Sequence, residues 1–383
     1  MLEMNDLTML AMFMLIILVT GGIMAAMPWL EGRGQCFAVT IPVTAAKDPR
    51  LEAERRSYAS KVALLAVVCG AGTAAATAMD QTGSATVAVL LASTAALVMA
   101  PFVLMLAARK RVRAIKAAEG WHAERQVRVA AIGEADLPRP LSPAFELLHL
   151  PVAMLALGLG LAVLPGLPAR VPIHFDAAGN ANDWVDRGPA VVALPILIIA
   201  FMGIVMTAVH LAITRSKRAS DPEAPATSAF CYAAFVRANT VLIVVIGLVV
   251  NLAFALLPLQ FAGIIPLKAW IAAELAVVAL AIGWTCWIAV TYGQNGNLAA
   301  ARLLGSANAE AIDVQARPAM SADEDARWRL GVFYAEADDP AVIVPKRFGM
   351  GWTLNWARPA SWAMVAGLIA LAVIAVLASG ALR

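Results

Sequence analysis

The sequence predicts an all-α polytopic membrane protein of about eight transmembrane helices. Both termini are expected outside, with a small cytoplasmic α+β module before the last helix. Three observations carry this expectation. Of 383 residues, 61% are hydrophobic and 14% charged, whereas a soluble domain carries about 25% charge. Apolar runs of the ~20-residue length that crosses a hydrocarbon core recur along the chain. Lys and Arg fall almost wholly on alternate sides of those runs, as they do when one face of the bilayer is the cytoplasm. The same composition excludes a disordered chain, a nucleic-acid-binding protein and an ordinary soluble enzyme.

The first apolar run, 7–30, is preceded by Glu3 and Asp6 and by no basic residue, so it reads as a span and not as a cleavable signal peptide. The loop 31–61 ends in AAKDPRLEAERRSYASK, a charged, helix-forming stretch. Run 62–79 is short and rich in Gly70, Ala71, Gly72 and Ala74 to Ala76, small residues that suit close helix packing. Run 84–107 leads into Arg109, Lys110, Arg111, Arg113 and Lys116, a cluster that anchors a helix end on anionic headgroups. Runs 145–164 and 189–213 bracket the loop 165–188, and runs 239–258 and 269–291 form a central pair. Run 360–382 follows the charged stretch 292–358. Trp29, Trp270, Trp287, Trp356 and Trp362 lie near the predicted interfaces, where indole rings concentrate. Five regions follow: 1–144 with three helices and basic loops, 145–213 as a helix pair, 214–291 as the central pair, 292–358 as the module, and 359–383 as the last helix.

With the N-terminus outside, 25 of the 29 Lys and Arg residues face the cytoplasm, leaving Arg170, Arg187, Lys268 and Arg383 outside. Cys36 and Cys231 then fall inside and Cys69 and Cys286 within spans, so no exported disulfide framework is implied. Within 292–358, LGVFYAE and AVIVPKRF flank Asp338-Asp339-Pro340. Two short β-rich runs around an acidic Pro turn predict a hairpin, with Trp352 and Trp356 placed to dock the module on the membrane.

The outside loop reads LPARVPIHFDAAGNANDWVDRGP. Extended backbone over 171–176 would put His174 and Asp176 on one face and Val171, Ile173 and Phe175 on the other. A His and a carboxylate on one face suit cation binding, capture of a peptide donor or titration near neutrality. Equally, they suit a mutual hydrogen bond that pins a short lid. PIHFDAAGNANDW resembles the motif of the SdpI-type family, membrane proteins named after an immunity protein against a secreted bacterial killing peptide. Pro172, Ile173, His174, Phe175, Gly179, Asp183 and Trp184 carry the resemblance. Asp176 stands where Asn is more usual, and Arg187 near where Lys is expected, so this loop is the more acidic. WRLGVFYAEADDPAVIVPKRFGMGWTLNWARP looks like a C-terminal domain of unknown function found with that motif, and CFAVTIPVTAAKDPRLEAERRSYASKV looks like the first loop of such proteins. The resemblance implies a bacterial inner (cytoplasmic) membrane protein whose ligand contacts are His174, Asp176, Gly179, Asp183 and Trp184.

Two further groups lie in the predicted spans. Glu146 and His149 are three apart and share a helix face, and His210 lies at similar depth on the next, antiparallel span. They suit half a metal site, a proton relay or a hydrogen-bonded clasp, so metal binding is left open. Glu274 and Asn251 lie toward the outer ends of spans seven and six. A carboxylate there needs a partner, and Asn251, His174 or Arg170 are the candidates. No phosphate loop, nucleophile elbow or His-Glu-x-x-His signature occurs, so no cofactor is implied and the chain reads as non-enzymatic. The expected partners are the lipid bilayer, a secreted peptide outside and a cytoplasmic protein at 327–358, with no nucleic acid. The leading expectation is immunity or signal sensing. The alternative is a secondary transporter or channel using Asn251, Glu274, Glu146, His149 and His210.

Overall fold

A computed structural model describes residues 4–32, 34–79, 84–122, 137–175, 181–218, 224–305 and 323–381. The chain is mostly helical, and among the described residues seven helical stretches are long and apolar enough to cross a membrane. These are Phe13–Leu30 in α1 (Met4–Leu30), α2 (Pro49–Met79), α3 (Ser84–Ala118), Pro143–Gly166 around α4 (His149–Val163), α5 (Pro189–Thr214), Pro225–Phe261 comprising α6 (Pro225–Ala255) and α7 (Leu257–Phe261), and Leu267–Leu304 comprising α8 (Leu267–Tyr292) and α9 (Asn297–Leu304). The stretch expected as an eighth span forms α10 (Pro359–Ala381), whose described apolar run, Pro359–Ile374, falls short of that length. The chain is an integral, multi-pass membrane protein.

Local chemistry explains the helix limits. The charged run before the second span and the span itself are one helix, α2, because no breaker separates Lys61 from Val62. Pro49 opens it, where its missing N–H is no loss. Asp48 accepts from Arg50 N at 2.8 Å, an N-terminal cap. Helix α3 likewise runs past its apolar stretch through the basic cluster to Ala118.

The chain divides into two compact units. One comprises Met1–Arg139, Ser216–Arg237 and Cys286–Ser361; the other comprises Pro140–Arg215, Ala238–Thr285 and Trp362–Arg383. In the first, α1, α2 and α3 pack through small residues, as the Ala/Gly-rich second run predicts. A Cβ on Gly21 would stand 2.3 Å from that of Ala66, so the helices touch where only glycine fits.

Strands β1 (Gln35–Cys36) and β2 (Val39–Thr40) form a hairpin whose two-residue turn, Phe37–Ala38, has φ of 48° and 57°. Neither residue is glycine, and both sit in the left-handed region, at a cost of about 1–2 kcal/mol each. Two polar side chains hold the turn. Glu31 Oε1 accepts from Ala38 N at 3.2 Å, and Arg109 Nη1 donates to the carbonyls of Phe37 and Ala38. Phe37 itself is fully buried beside Tyr58 and Phe348, with ring centroids 5.4 and 5.9 Å away. Thr40 joins a second cluster. Asp325 Oδ1 accepts from Thr40 N at 3.0 Å, Thr40 Oγ1 at 2.9 Å and Arg347 Nη1 at 2.8 Å, and its Oδ2 accepts from Lys116 Nζ at 2.9 Å.

The stretch 328–354 corrects the predicted hairpin. LGVFYAE and AVIVPKRF do not pair with each other. Instead β5 (Trp328–Arg329) pairs with β6 (Phe333–Tyr334), and β7 (Ile343–Pro345) pairs with β8 (Trp352–Leu354). The acidic turn wraps a fully buried amide: Asn355 Nδ2 donates to the carbonyls of Glu336, Asp339 and Ala341 at 2.8, 3.2 and 3.1 Å. Asp339 is further drawn to Lys217 Nζ at 2.6 Å and the Tyr334 hydroxyl at 2.7 Å. Trp352 packs against Phe235 and Trp356 against Phe333.

Two carboxyls in this unit shift in opposite directions. Burial pushes Glu31 up to about 8, against the pull of the Arg55 guanidinium. Burial would also raise Asp325, but Lys116 and Arg347 outweigh it and hold that carboxyl down to about 2. A group held below its ordinary value stabilises the fold above that value and ceases to as pH falls. Wild type should therefore lose about 2 kcal/mol between pH 4 and 2, and Asp325→Asn should show that loss already at pH 6, measured by thermal unfolding in detergent. For a carboxyl held above its ordinary value the sign reverses: stability is greatest below about 4.5 and falls as pH rises to 8. Glu31→Gln, which copies the protonated form, should match wild type at pH 4 and exceed it at pH 9.

Candidate functional site

The second unit holds the densest group of buried polar side chains predicted in the spans. A 3-10 turn, Pro143–Leu148, precedes α4. Ser142 caps it, its Oγ accepting from Ala144 N at 3.3 Å, and Pro143 takes the first position. The turn carries Glu146 inward, three residues before His149. Glu146 Oε2 accepts from His149 Nε2 at 3.0 Å, and Oε1 lies 2.8 Å from Nδ1 of His210 on α5. His210 Nε2 donates to the Leu141 carbonyl at 2.9 Å. Asn251 Nδ2, from α6, donates to His149 Nδ1 at 2.9 Å and to the Ile199 carbonyl at 3.2 Å. Glu146, His149, His210 and Asn251 are 5%, 6%, 0% and 0% exposed, so the chain of hydrogen bonds is sealed from solvent along its length.

The partners dictate where protons sit. His149 Nδ1 accepts from the Asn251 amide, so its proton is on Nε2 and the ring is neutral. His210 differs, because both of its nitrogens face acceptors, the Leu141 carbonyl and the Glu146 carboxyl. A carbonyl cannot donate, so Nε2 carries a proton. A second proton must lie between Nδ1 and Oε1, as imidazolium with carboxylate or as imidazole with carboxylic acid. The Glu146–His210 pair thus stores one proton that can rest on either partner.

Glycine makes room for this arrangement. A Cβ at Gly203 would come within 3.3 Å of the His149 ring, and one at Gly247 within 3.4 Å of His149 Cε1. These two glycines, the Leu141 carbonyl and the Ile199 carbonyl were not among the residues singled out from sequence. Pairs of glycines on successive spans were the available signal for the first two.

Of the residues expected to act together, the structure joins Glu146, His149 and His210, and adds Asn251 to them. It does not pair Asn251 with Glu274. Glu274, on α8, is half-buried, and its Oε1 has no hydrogen-bond partner among the described residues. Its other expected partners are engaged elsewhere: Arg170 lies 3.8 Å from Asp186, and His174 bonds Asn182. Hydropathy locates a helix but not its rotation, and α6 turns Asn251 toward α4 and α5. Among the described residues no three His, Cys, Asp or Glu side chains are arranged to hold a metal ion.

At the other end of the α4–α5 pair lies the loop motif. It folds as an antiparallel hairpin, β3 (Arg170–Phe175) with β4 (Ala181–Asp186). Val171 and Val185 are buried with Leu167, Val191 and Phe261, while His174 is exposed and Trp184 is 41% exposed. The ladder slips on either side of His174, which pairs with Asp183. His174 Nδ1 donates to Asn182 Oδ1 at 2.5 Å, a partner the sequence did not nominate. Asp183 Oδ1 accepts from Trp184 N at 2.9 Å. Arg187 Nη1 donates to the carbonyls of Pro165 and Leu167 at 3.2 and 2.9 Å and so ties the foot of the hairpin. Asp176 and Gly179 lie outside the described residues.

Comparison with known families places two segments. A domain of unknown function, DUF1648, matches residues 148–199, which span α4, the β3–β4 hairpin and the first part of α5. A family of unknown function, DUF5808, matches residues 337–362, from the Asn355-centred turn to the start of α10. No curated protein and no solved structure matches the chain.

Because Glu146 serves both imidazoles, its loss should be costly. Glu146→Ala leaves two buried ring nitrogens unpaired, Nε2 of His149 and Nδ1 of His210, and should cost about 3–5 kcal/mol. His210→Ala should cost less when Glu146 is already gone. A double-mutant cycle read by unfolding in detergent should give a coupling of about 1–3 kcal/mol. Strict additivity would mean the two side chains share no interaction energy.

Proposed function

We propose that this protein is a non-enzymatic receptor of the bacterial inner membrane that takes a secreted peptide or other envelope signal on the β3–β4 hairpin. The observation that carries the reading is the closure of one helix pair at both ends. The exposed hairpin joins α4 to α5 at one end, and the proton-sharing Glu146–His210 bond joins them at the other. The hairpin is two-stranded, so an extended peptide has a strand edge on which to add. Trp184 is the aromatic anchor, and His174 with Asp183 supplies polar contacts; Asp176 and Gly179 of the same motif complete the proposed contact set. The sparse basic charge of this loop favours its placement outside.

A peptide that binds one arrangement of the α4–α5 pair more tightly shifts the population toward it. The clasp is the element with two states, because its proton has two resting places. The stretch 327–358 is then the cytoplasmic output surface, and immunity to a killing peptide is one instance of such a response. A second reading rests on Asn251 Oδ1 and Glu274 Oε1, both buried without a hydrogen-bond partner among the described residues. Unpaired acceptors in a bundle suit a cation or proton path, hence a secondary transporter or channel.

A deletion strain exposed to secreted products of its own and related strains should be sensitised. Wild type should rescue it and His174→Ala/Trp184→Ala should not, with both present in the membrane at equal level. No sensitisation, or rescue by the double variant, would discard the receptor reading. Gradient-driven flux abolished by Glu274→Gln would then favour transport.

A further inference from the structure

In the first unit, a cleft of about 480 Å³ opens between the C-terminal end of α3 and the turn that joins β5 to β6. That volume accommodates a small ligand. Arg109, Lys110 and Arg113 line it from α3 and Arg329 from β5, against a single acid, Asp325. The Asp325 carboxylate is already bound by Lys116 and Arg347 at 2.9 and 2.8 Å, so it does not neutralise the cleft.

The basic cluster after α3's apolar run sorts into two classes. Arg111 is paired with Glu54 at 2.7 Å, and Lys116 with Asp323 and Asp325. Lys110, Arg113 and Arg329 form no ion pair among the described residues, and these are the ones that converge on the cleft. Arg109 is the most telling. It is 4% exposed, held by its Nη1 bonds to Phe37 and Ala38 and by Gly331, where an added Cβ would come within 3.0 Å of Nη1. Its Nη2 is buried with no acceptor among the described residues. A guanidinium fixed in place in the lining of a cationic cleft, with one nitrogen unpaired among the described residues, lacks an anion. Apolar side chains complete the site. Leu106 belongs to the last turn of α3's apolar run, and Leu330 is 54% exposed at the mouth.

We infer that this cleft binds a phosphate group, carried either by an anionic lipid headgroup or by a soluble phosphate ester. Three unpaired cations and one preset guanidinium match the charge and the several acceptor oxygens of phosphate. The position of the cleft, where α3 changes from apolar to charged, places it at headgroup level.

The test uses the full chain in lipid-free detergent, titrated with short-chain phosphatidic acid, short-chain phosphatidylcholine and glycerol 3-phosphate, with thermal unfolding and equilibrium binding as readouts. Phosphatidic acid should bind saturably. Lys110→Ala/Arg113→Ala/Arg329→Ala should weaken it by about tenfold or more, given that each cation contributes about 1 kcal/mol. Arg111→Ala, which removes one positive charge from α3 outside the cleft and is charge-matched by the single change Arg113→Ala inside it, should stay within about twofold of wild type. Glycerol 3-phosphate binding as tightly as the lipid would name a soluble ester as the source, and binding of the lipid alone would name the headgroup. Equal weakening by the triple variant and by Arg111→Ala would reduce the effect to diffuse charge and overturn the site, as would absence of saturable binding. Should the triple variant misfold, the exposed single changes Arg113→Ala and Arg329→Ala carry the same comparison.

Discussion

A carboxyl group buried in a helix bundle has to find its hydrogen bonds inside the bundle, and at Glu146 this requirement organises three helices. Its two oxygens face two imidazoles, which sets the rotation of α4 against α5. The far nitrogen of His149 then needs a donor, and Asn251 supplies it from α6. The far nitrogen of His210 needs an acceptor, and the Leu141 carbonyl ahead of α4 supplies that. Each group satisfies one neighbour and recruits the next. Small residues at Gly203 and Gly247 are the steric consequence, since the His149 ring occupies the space their side chains would fill.

The other unit meets the same requirement with charges of both signs. Asp325 collects Lys116, Arg347 and Thr40 from stretches far apart in sequence, while Glu31 and Arg109 hold one tight turn from two directions. Here the polar network is structural glue, and what it leaves unsatisfied is informative. Arg109 Nη2 is a donor without an acceptor among the described residues, and the place of this side chain in the cleft lining turns a packing detail into a binding hypothesis.

Much of the fold is legible in the sequence. Apolar runs of the right length locate the spans, because lipid tolerates little else, and the alternating motif at 171–176 reads as the extended backbone that β3 is. Glu146 and His149 at a spacing of three, with His210 on the next span, are legible as neighbours. What is not legible depends on helix rotation and on tertiary competition. Asn251 serves His149 and not Glu274, because hydropathy carries no information on which face of α6 turns inward. The two β-rich runs around Asp338-Asp339-Pro340 look like partners, but the Asn355 amide draws the turn around itself and each run finds a nearer strand.

The left-handed turn at Phe37–Ala38 also bears on the order in which the protein is made. Its backbone is unfavourable by itself, and the side chain that grips its carbonyls, Arg109, follows Phe37 by 72 residues. At about 5–20 residues per second, the ribosome needs several seconds to deliver that guanidinium, by which time the first two spans have already been synthesised. Arg347, which grips Thr40, comes 307 residues after it. The first hairpin is therefore translated early and locked late. During that interval the turn lacks both guanidinium groups that hold the hairpin.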